Sequence, residues 1–336
     1  MTGVSDWLAT VDEPAVEPEL PIIDTHHHFW DRPGTRYLLD ELVADTAAHN
    51  VRQTVFVECS SMYRADGPEE LKPVGETEFV RGIAAQSASG QYGEMRAATA
   101  IVGTADLTLG ADVAGVLEAQ IEASPASFRG IRHRTAWAES GVQPNAPTGP
   151  DPHLMANAKF REGFARLDDY GLSFDAWLYH PQLAEFVDLA AAFPNTTIVL
   201  NHLGTPIGVG SYEGRREEVF AAWKRDLAAT AELPNVVLKV GGIQMPVNGF
   251  AWHERARPPT SDELLETNRD WYMYAIERFG PDRCTFESNF PVDRQSCSYT
   301  VLWNQFKKLT TDFSPSERAA LFHDTAVRVY RLDDPV

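Results

Sequence analysis

The chain has 336 residues, 43% of them hydrophobic and 23% charged, the proportions of an ordinary folded protein able to bury a large core. Its 48 acidic residues against 29 basic ones give a formal net charge of −19, which repels phosphate backbones and excludes nucleic acid as a natural partner. Three widely spaced cysteines, Cys59, Cys284 and Cys297, make no disulfide framework, and no run of 18 apolar residues suggests a membrane span.

Residues 1–20, with five acidic side chains beside Pro14 and Pro18, read as an extended N-terminal arm. They lack the basic and apolar regions of a signal peptide, so a cytoplasmic setting is expected. Residues 21–336 read as a single domain in which short apolar or β-branched runs alternate with helical patterns. The strands are predicted at 21–24, 54–58, 97–102, 128–132, 172–177, 197–201, 236–240 and 284–287, and the helices at 73–87, 111–123, 159–170, 181–193, 212–231, 262–279, 298–310 and 314–323. Eight such units predict an α/β fold, a distorted (β/α)8 TIM barrel, with the active site at the carboxyl ends of the strands. An open doubly wound sheet fits less well, because no Gly-rich phosphate turn follows the first strand. The long Pro- and Gly-rich loops at 138–152 and 241–259 read as binding loops.

The first strand delivers Asp24-Thr25-His26-His27-His28-Phe29-Trp30-Asp31. Strict alternation places His26 and His28 on one face with Asp24, and His27 on the other. Glu58 ends the second strand, and Arg129, Arg132 and Arg134 surround the fourth, where guanidinium forks predict an anionic or lactone-type substrate. The fifth brings Asp175, Tyr179 and His180, the sixth ends in Asn201-His202-Leu203-Gly204, and the seventh carries Lys239 beside Gly241 and Gly242. The eighth runs Phe286-Glu287-Ser288-Asn289-Phe290-Pro291-Val292-Asp293.

The first-strand motif, Phe128-Arg129-Gly130-Ile131-Arg132, Asn201-His202-Leu203-Gly204 and the eighth-strand motif together resemble the amidohydrolase superfamily over residues 21–331, in the branch of sugar-acid and pyrone-dicarboxylate lactonases. The resemblance implies His26 and His28 as the strand-one pair and His202 as the strand-six histidine, with a catalytic aspartate on strand eight. Here Asn289 stands at the aspartate position and Glu287 replaces a glycine. A neutral amide orients water but cannot take its proton, so Glu287, a histidine or Asp293 is left to act as base.

The expected activity is therefore a hydrolase opening a lactone or similar cyclic ester of an acidic or polyhydroxylated small molecule. The expected catalytic residues are His26, His28, His202, Glu287 and Asn289, with Arg129, Arg132, Arg134, Glu58, Asp175, Tyr179, His180 and Trp30 binding substrate. A single Zn²⁺ held by His26, His28 and His202 is chemically sound, and a metal-independent site is favoured over it by the Arg-rich fourth strand and the missing aspartate. Decarboxylation or lactone isomerisation on the same barrel, and a non-catalytic binding barrel, are the alternatives. The partner is a small molecule, with no nucleic acid and no membrane, and a homo-oligomer is compatible with the chain.

Overall fold

The structure, a computed structural model, describes residues 2–138, 142 and 151–333. Eight parallel strands form one sheet in sequence order: β1 (Ile22–His27), β2 (Val51–Val57), β3 (Arg96–Gly103), β4 (Phe128–Ile131), β5 (Ser173–Ala176), β6 (Ile198–Leu200), β7 (Val236–Gly241) and β8 (Cys284–Glu287). The sheet closes where β1 meets the residues after β8. His27 pairs in parallel with Phe290, the Asn289 amide donates to the His26 carbonyl at 2.8 Å, and the His28 amide to the Phe290 carbonyl at 2.8 Å. This is the expected barrel, and the helices between strands supply its outer ring.

Parity along the strands sorts two cores. Ile23, Val55, Val57, Ala100, Val102, Val199 and Val237 fill the barrel's interior, while Ile22, Phe56, Ile101, Phe174 and Leu238 pack outward against the helices. The interior cluster is completed by Ala326, Val329, Tyr330 and Leu332, so the C-terminal helix (Thr325–Tyr330) belongs to the barrel core. The predicted last helix stopped at residue 323. In the structure a single π turn at Ala320–Asp324 carries it on to Tyr330.

Three further features depart from expectation. Trp30–Arg32 and Thr35–Tyr37 form a small antiparallel hairpin, and Leu39–Thr46 is a helix; neither was predicted. Thr2–Leu8, within the expected extended arm, is helical: Leu8 is buried and the Trp7 indole donates to the Arg255 carbonyl at 3.0 Å, giving this short segment a surface to fold on. The loop at 138–152 falls largely outside the described residues. Among the described residues no helix is long and apolar enough to cross a membrane.

Candidate active site

An irregularity in the β1–β2 register between Asp24 and His27 interrupts strict alternation, and the site depends on it. Asp24, predicted to share a face with His26, instead accepts from the Tyr299 hydroxyl at 3.1 Å and the Ser288 amide at 2.9 Å. Burial pushes its carboxyl up to about 6. His27 points away from the other two histidines as predicted, bonding Thr54 Oγ1 at 2.8 Å and packing on Phe29 and Phe56.

His26, His28 and His202 do converge: the His26 ring centroid lies 4.9 Å from that of His28 and 4.5 Å from that of His202. All three are buried. Glu287, on the last residue of β8, reaches between two of them. Its Oε1 lies 2.7 Å from His202 Nδ1 and takes the His202 amide at 3.0 Å, while Oε2 lies 2.9 Å from His26 Nδ1. A carboxylate only accepts, so His202 carries its proton on Nδ1 and presents a lone pair at Nε2. Oε1 is thereby bonded to His202, while Oε2, for all its closeness to His26 Nδ1, makes no hydrogen bond among the described residues.

His28 donates Nδ1–H to the Val57 carbonyl at 2.8 Å, with Trp30 stacked behind it. Arg132, which can only donate, places Nη1 3.3 Å from His26 Nε2. Burial first, then the neighbouring cations Lys239 for His26 and Arg132 for His28, holds both imidazoles well below their usual range. With its Nδ1–H on the Val57 carbonyl, a neutral His28 can accept a proton or orient water at Nε2, but it cannot donate to an oxyanion there.

The close packing of this dyad is made possible by glycine. A Cβ on Gly242 would sit 1.9 Å from His202 Nδ1, and one on Gly241 would sit 2.7 Å from Glu287 Cγ. Gly242 also has φ +63, in the left-handed region that favours glycine. His202 (φ 55), Leu203 (φ 54) and Asn289 (φ 55) occupy the same region without being glycine, backbone strain of the kind found at functional sites. Asn289 is not on the same regular strand as Glu287, because β8 ends there. Its amide nitrogen donates to Asp293 Oδ1 at 2.9 Å, leaving its oxygen as an acceptor. Asp293 also takes the Gln244 amide at 3.1 Å and is wholly buried, so it braces the loop and does not reach the histidines as a base.

The strand-four arginines are placed quite differently from the prediction. Arg129 is not at the strand end that carries the histidines: its guanidinium donates to the carbonyls of Tyr330 (2.9 Å), Phe128 (3.1 Å) and Ala126, fastening the C-terminal helix. Arg132 and Arg134 converge on Glu58, whose Oε1 receives Arg132 Nε at 2.8 Å and Arg134 Nε at 3.0 Å and whose Oε2 receives Arg134 Nη2 at 3.1 Å. Burial raises the Glu58 carboxyl, but the two guanidiniums outweigh it and hold the group below its ordinary range. The arginines thus find their carboxylate within the protein. Arg132 Nη1 is directed at the histidines.

Asp175, expected to bind substrate, is likewise engaged with partners within the protein. Its carboxylate receives Lys239 Nζ at 2.6 Å, Asn201 Nδ2 at 2.9 Å and the Tyr330 hydroxyl at 3.2 Å. Lys239 and Asp175 are fully buried, and Nζ stands 3.5 Å from His26 Nδ1. Sequence reasoning noted Lys239 without giving it a role and missed Tyr330. His180 accepts the Ile207 amide at 3.2 Å and packs on Tyr212, tying the loops after β5 and β6; burial lowers it to about 4. Tyr179 is buried, and neither its hydroxyl nor the Trp177 indole N–H has a partner among the described residues. Both belong to an apolar cap over the strand ends with Ala136, Val142, Ile207, Met245 and Val247. Beside it a cavity of about 940 Å³ is lined by Trp137, Gln182, Glu185, Ile207, Tyr212 and Arg215, among others.

Glu76, also unforeseen, rises from the helix at Val74–Ala88 to accept the amides of Cys59 (3.0 Å) and Ser61 (2.7 Å) just beyond Glu58. Burial, then the Glu58 charge, raises it to about 7.

Among the described residues one group brings metal-ligating atoms together, with His26, His202 and Glu287 all within 4.8 Å of one another. His28, expected as the third ligand, is replaced in this group by Glu287. Two imidazoles and a carboxylate are an adequate set by type for a catalytic Zn²⁺. By charge they are not. The Lys239 ammonium stands beside His26 Nδ1 and the Arg132 guanidinium beside Nε2, so a cation faces each nitrogen of that ring. As these side chains stand, the set does not suit a divalent ion.

Comparison with known proteins places this site in context. The amidohydrolase family matches residues 23–332. The uncharacterized protein y4mH of Sinorhizobium fredii is 32% identical over 94% of this chain and 99% of its own length. L-fucono-1,5-lactonase of Burkholderia multivorans is 27% identical over 93% of this chain and 97% of its own. A crystal structure of a Burkholderia multivorans amidohydrolase with bound zinc superposes with a TM-score of 0.71 at 25% identity, covering 93% of this chain and 99% of that one.

Proposed function

Because the chain belongs to the amidohydrolase family, an enzyme family, we propose that it hydrolyses a lactone, with His202 as the base that activates water and Glu287 as the group that holds His202 for the task. The observation that carries this reading is the Glu287 carboxylate spanning the Nδ1 atoms of His202 and His26. A carboxylate that fixes Nδ1–H leaves Nε2 free to take a proton and stabilises the imidazolium that results, the logic of a base–orienter pair. The role left open by Asn289 is thereby filled.

Water held near His202 Nε2 and the Asn289 amide oxygen attacks the ring carbonyl, giving its proton to His202. The oxyanion needs a donor, and the neutral histidines have none to give; Arg132 Nη1 is the cation placed to serve. Collapse of the tetrahedral intermediate breaks the ring C–O bond, and the imidazolium returns its proton to the departing alkoxide, yielding one hydroxy acid. Every step is carried by side chains, with no resident metal. A bound divalent ion would acidify water and polarise the carbonyl, functions assigned here to His202 and Arg132.

Most donors of Arg132 and Arg134 are taken up by Glu58, leaving one net positive charge for an oxyanion, so the site favours a neutral, hydroxylated lactone over a dicarboxylate one. The unpaired Tyr179 hydroxyl and Trp177 N–H suit hydroxyl groups of such a ring. The lactonase relative supports the same class. The test is a panel of five- and six-membered sugar lactones, pyrone carboxylates and aromatic acids, followed by acid release and CO2 release in separate assays. Acid release from neutral lactones, sensitive to His202→Ala, is expected. CO2 release without lactone opening establishes the decarboxylase reading instead, and binding without turnover the non-catalytic one.

A further inference from the structure

The floor of the site holds a fixed cation that the proposed reaction does not consume. Lys239 extends from β7 into the barrel, fully buried, with Nζ 2.6 Å from Asp175 Oδ2 and 3.5 Å from His26 Nδ1. Its position is set from three sides. Asn201 Nδ2 and the Tyr330 hydroxyl both hold Asp175, and the Tyr330 ring lies 5.4 Å beneath the ammonium. The C-terminal helix that plugs the barrel therefore fixes this charge, with Arg129 pinning the helix end.

An ion bound by His26, His202 and Glu287 would sit about 2 Å from each ligand atom. A group 3.5 Å from one of those atoms is then within roughly 5.5 Å of the ion, a separation at which two cations repel strongly in a buried setting. Asp175, 2.6 Å from the ammonium, offsets part of this repulsion, and Arg132 adds a second positive group on the other edge of His26.

We propose that Lys239 is the site's resident cation: its ammonium takes the place, in charge, of a divalent ion beside His26, His202 and Glu287, and so excludes one. The proposal rests on the metal-free reading above and goes further, because it makes the ligand set latent. Remove the charge, and the same three residues gain affinity for a divalent ion, with Arg132 left as the opposing cation beside His26.

The experiment is a Co²⁺ titration of chelator-treated, full-length protein, followed by visible absorption and by competition with Zn²⁺. Lys239→Met removes the charge at similar volume. Lys239→Met/Asp175→Asn removes both members of the pair, so that no buried carboxylate is left unmatched if the single variant unfolds. Folding is checked by circular dichroism. Lys239→Met, which leaves the Asp175 charge in place, is expected to bind one Co²⁺ at least about 100-fold more tightly than wild type, and Lys239→Met/Asp175→Asn to gain by a smaller factor; adding His202→Ala should abolish either gain. Lys239→Arg should exclude the ion as wild type does. Wild-type protein that binds one Co²⁺ as tightly as the variants, or folded variants that gain no affinity, overturns the proposal. Wild-type turnover that disappears on chelation and returns with added metal overturns the metal-free reading and the exclusion together, whereas metal-free turnover with folded variants that gain no affinity overturns the exclusion alone.

Discussion

The ends of β1 and β4 carry the two densest groups of functional side chains, and the structure treats them in opposite ways. His28 keeps Nε2 for chemistry because its partner, the Val57 carbonyl, engages only Nδ1, while His26 has Glu287 beside Nδ1 and Arg132 beside Nε2 and serves to order the group. The three arginines lose almost all their binding capacity to the protein itself, two to Glu58 and one to carbonyls at the opposite end of the barrel. Residue type at a strand end signals capacity; what remains for a substrate depends on partners that lie far away in the chain.

The sharpest way to break this contrast is at the histidine side. His202→Ala should reduce kcat/KM for lactone opening by about 10³-fold, within the range for a lost general base, without unfolding the protein. Arg132→Met removes the oxyanion donor and one Glu58 partner, and a fall of about 10²-fold in kcat with little change in KM is expected. A large KM effect instead restores the arginine to substrate binding. Arg129→Ala provides the opposite case: kcat should hold within a few fold, while thermal unfolding shifts down by about 1–2 °C for a loss of about 1 kcal/mol of carbonyl contacts. Loss of activity at unchanged Tm contradicts the assignment.

Two carboxyls sharpen the same lesson. Glu58 has guanidinium partners and sits low; Glu76 has amide donors but no cation and is raised to about 7. A raised acid pays nothing while protonated, so stability tied to Glu76 is present below its unfolded value near 4.5 and is lost as pH climbs toward 7. Glu76→Gln, which keeps an acceptor for the Cys59 and Ser61 amides, should therefore melt close to wild type at pH 4.5 and above it at pH 8. Parallel melting curves at both pH values contradict the shift.

Much of this was legible in the sequence. Alternation of short apolar runs with helical patterns predicted the barrel, and the motifs at β1, β6 and β8 singled out His26, His28, His202 and Glu287. What could not be read has physical causes. The register irregularity after Asp24 turned that side chain toward Tyr299, because alternation holds only while the ladder is regular. Arg129 and Arg132 have the same charge and sit three residues apart, yet face different ends of the barrel; Tyr330, 201 residues from Arg129, has no local signature of its role. Lys239 was visible as a residue, but its meaning required Asp175 and His26 to be placed around it.

The central claim, that Glu287 acts through His202, is tested most directly by a double-mutant cycle on kcat/KM for a lactone that the wild type opens. Glu287→Gln alone should cost about 10²-fold, His202→Ala about 10³-fold, and the double variant no more than His202→Ala alone, because a group that works only by holding the base has nothing left to hold. Losses that multiply to about 10⁵-fold show that Glu287 and His202 act independently, and contradict it.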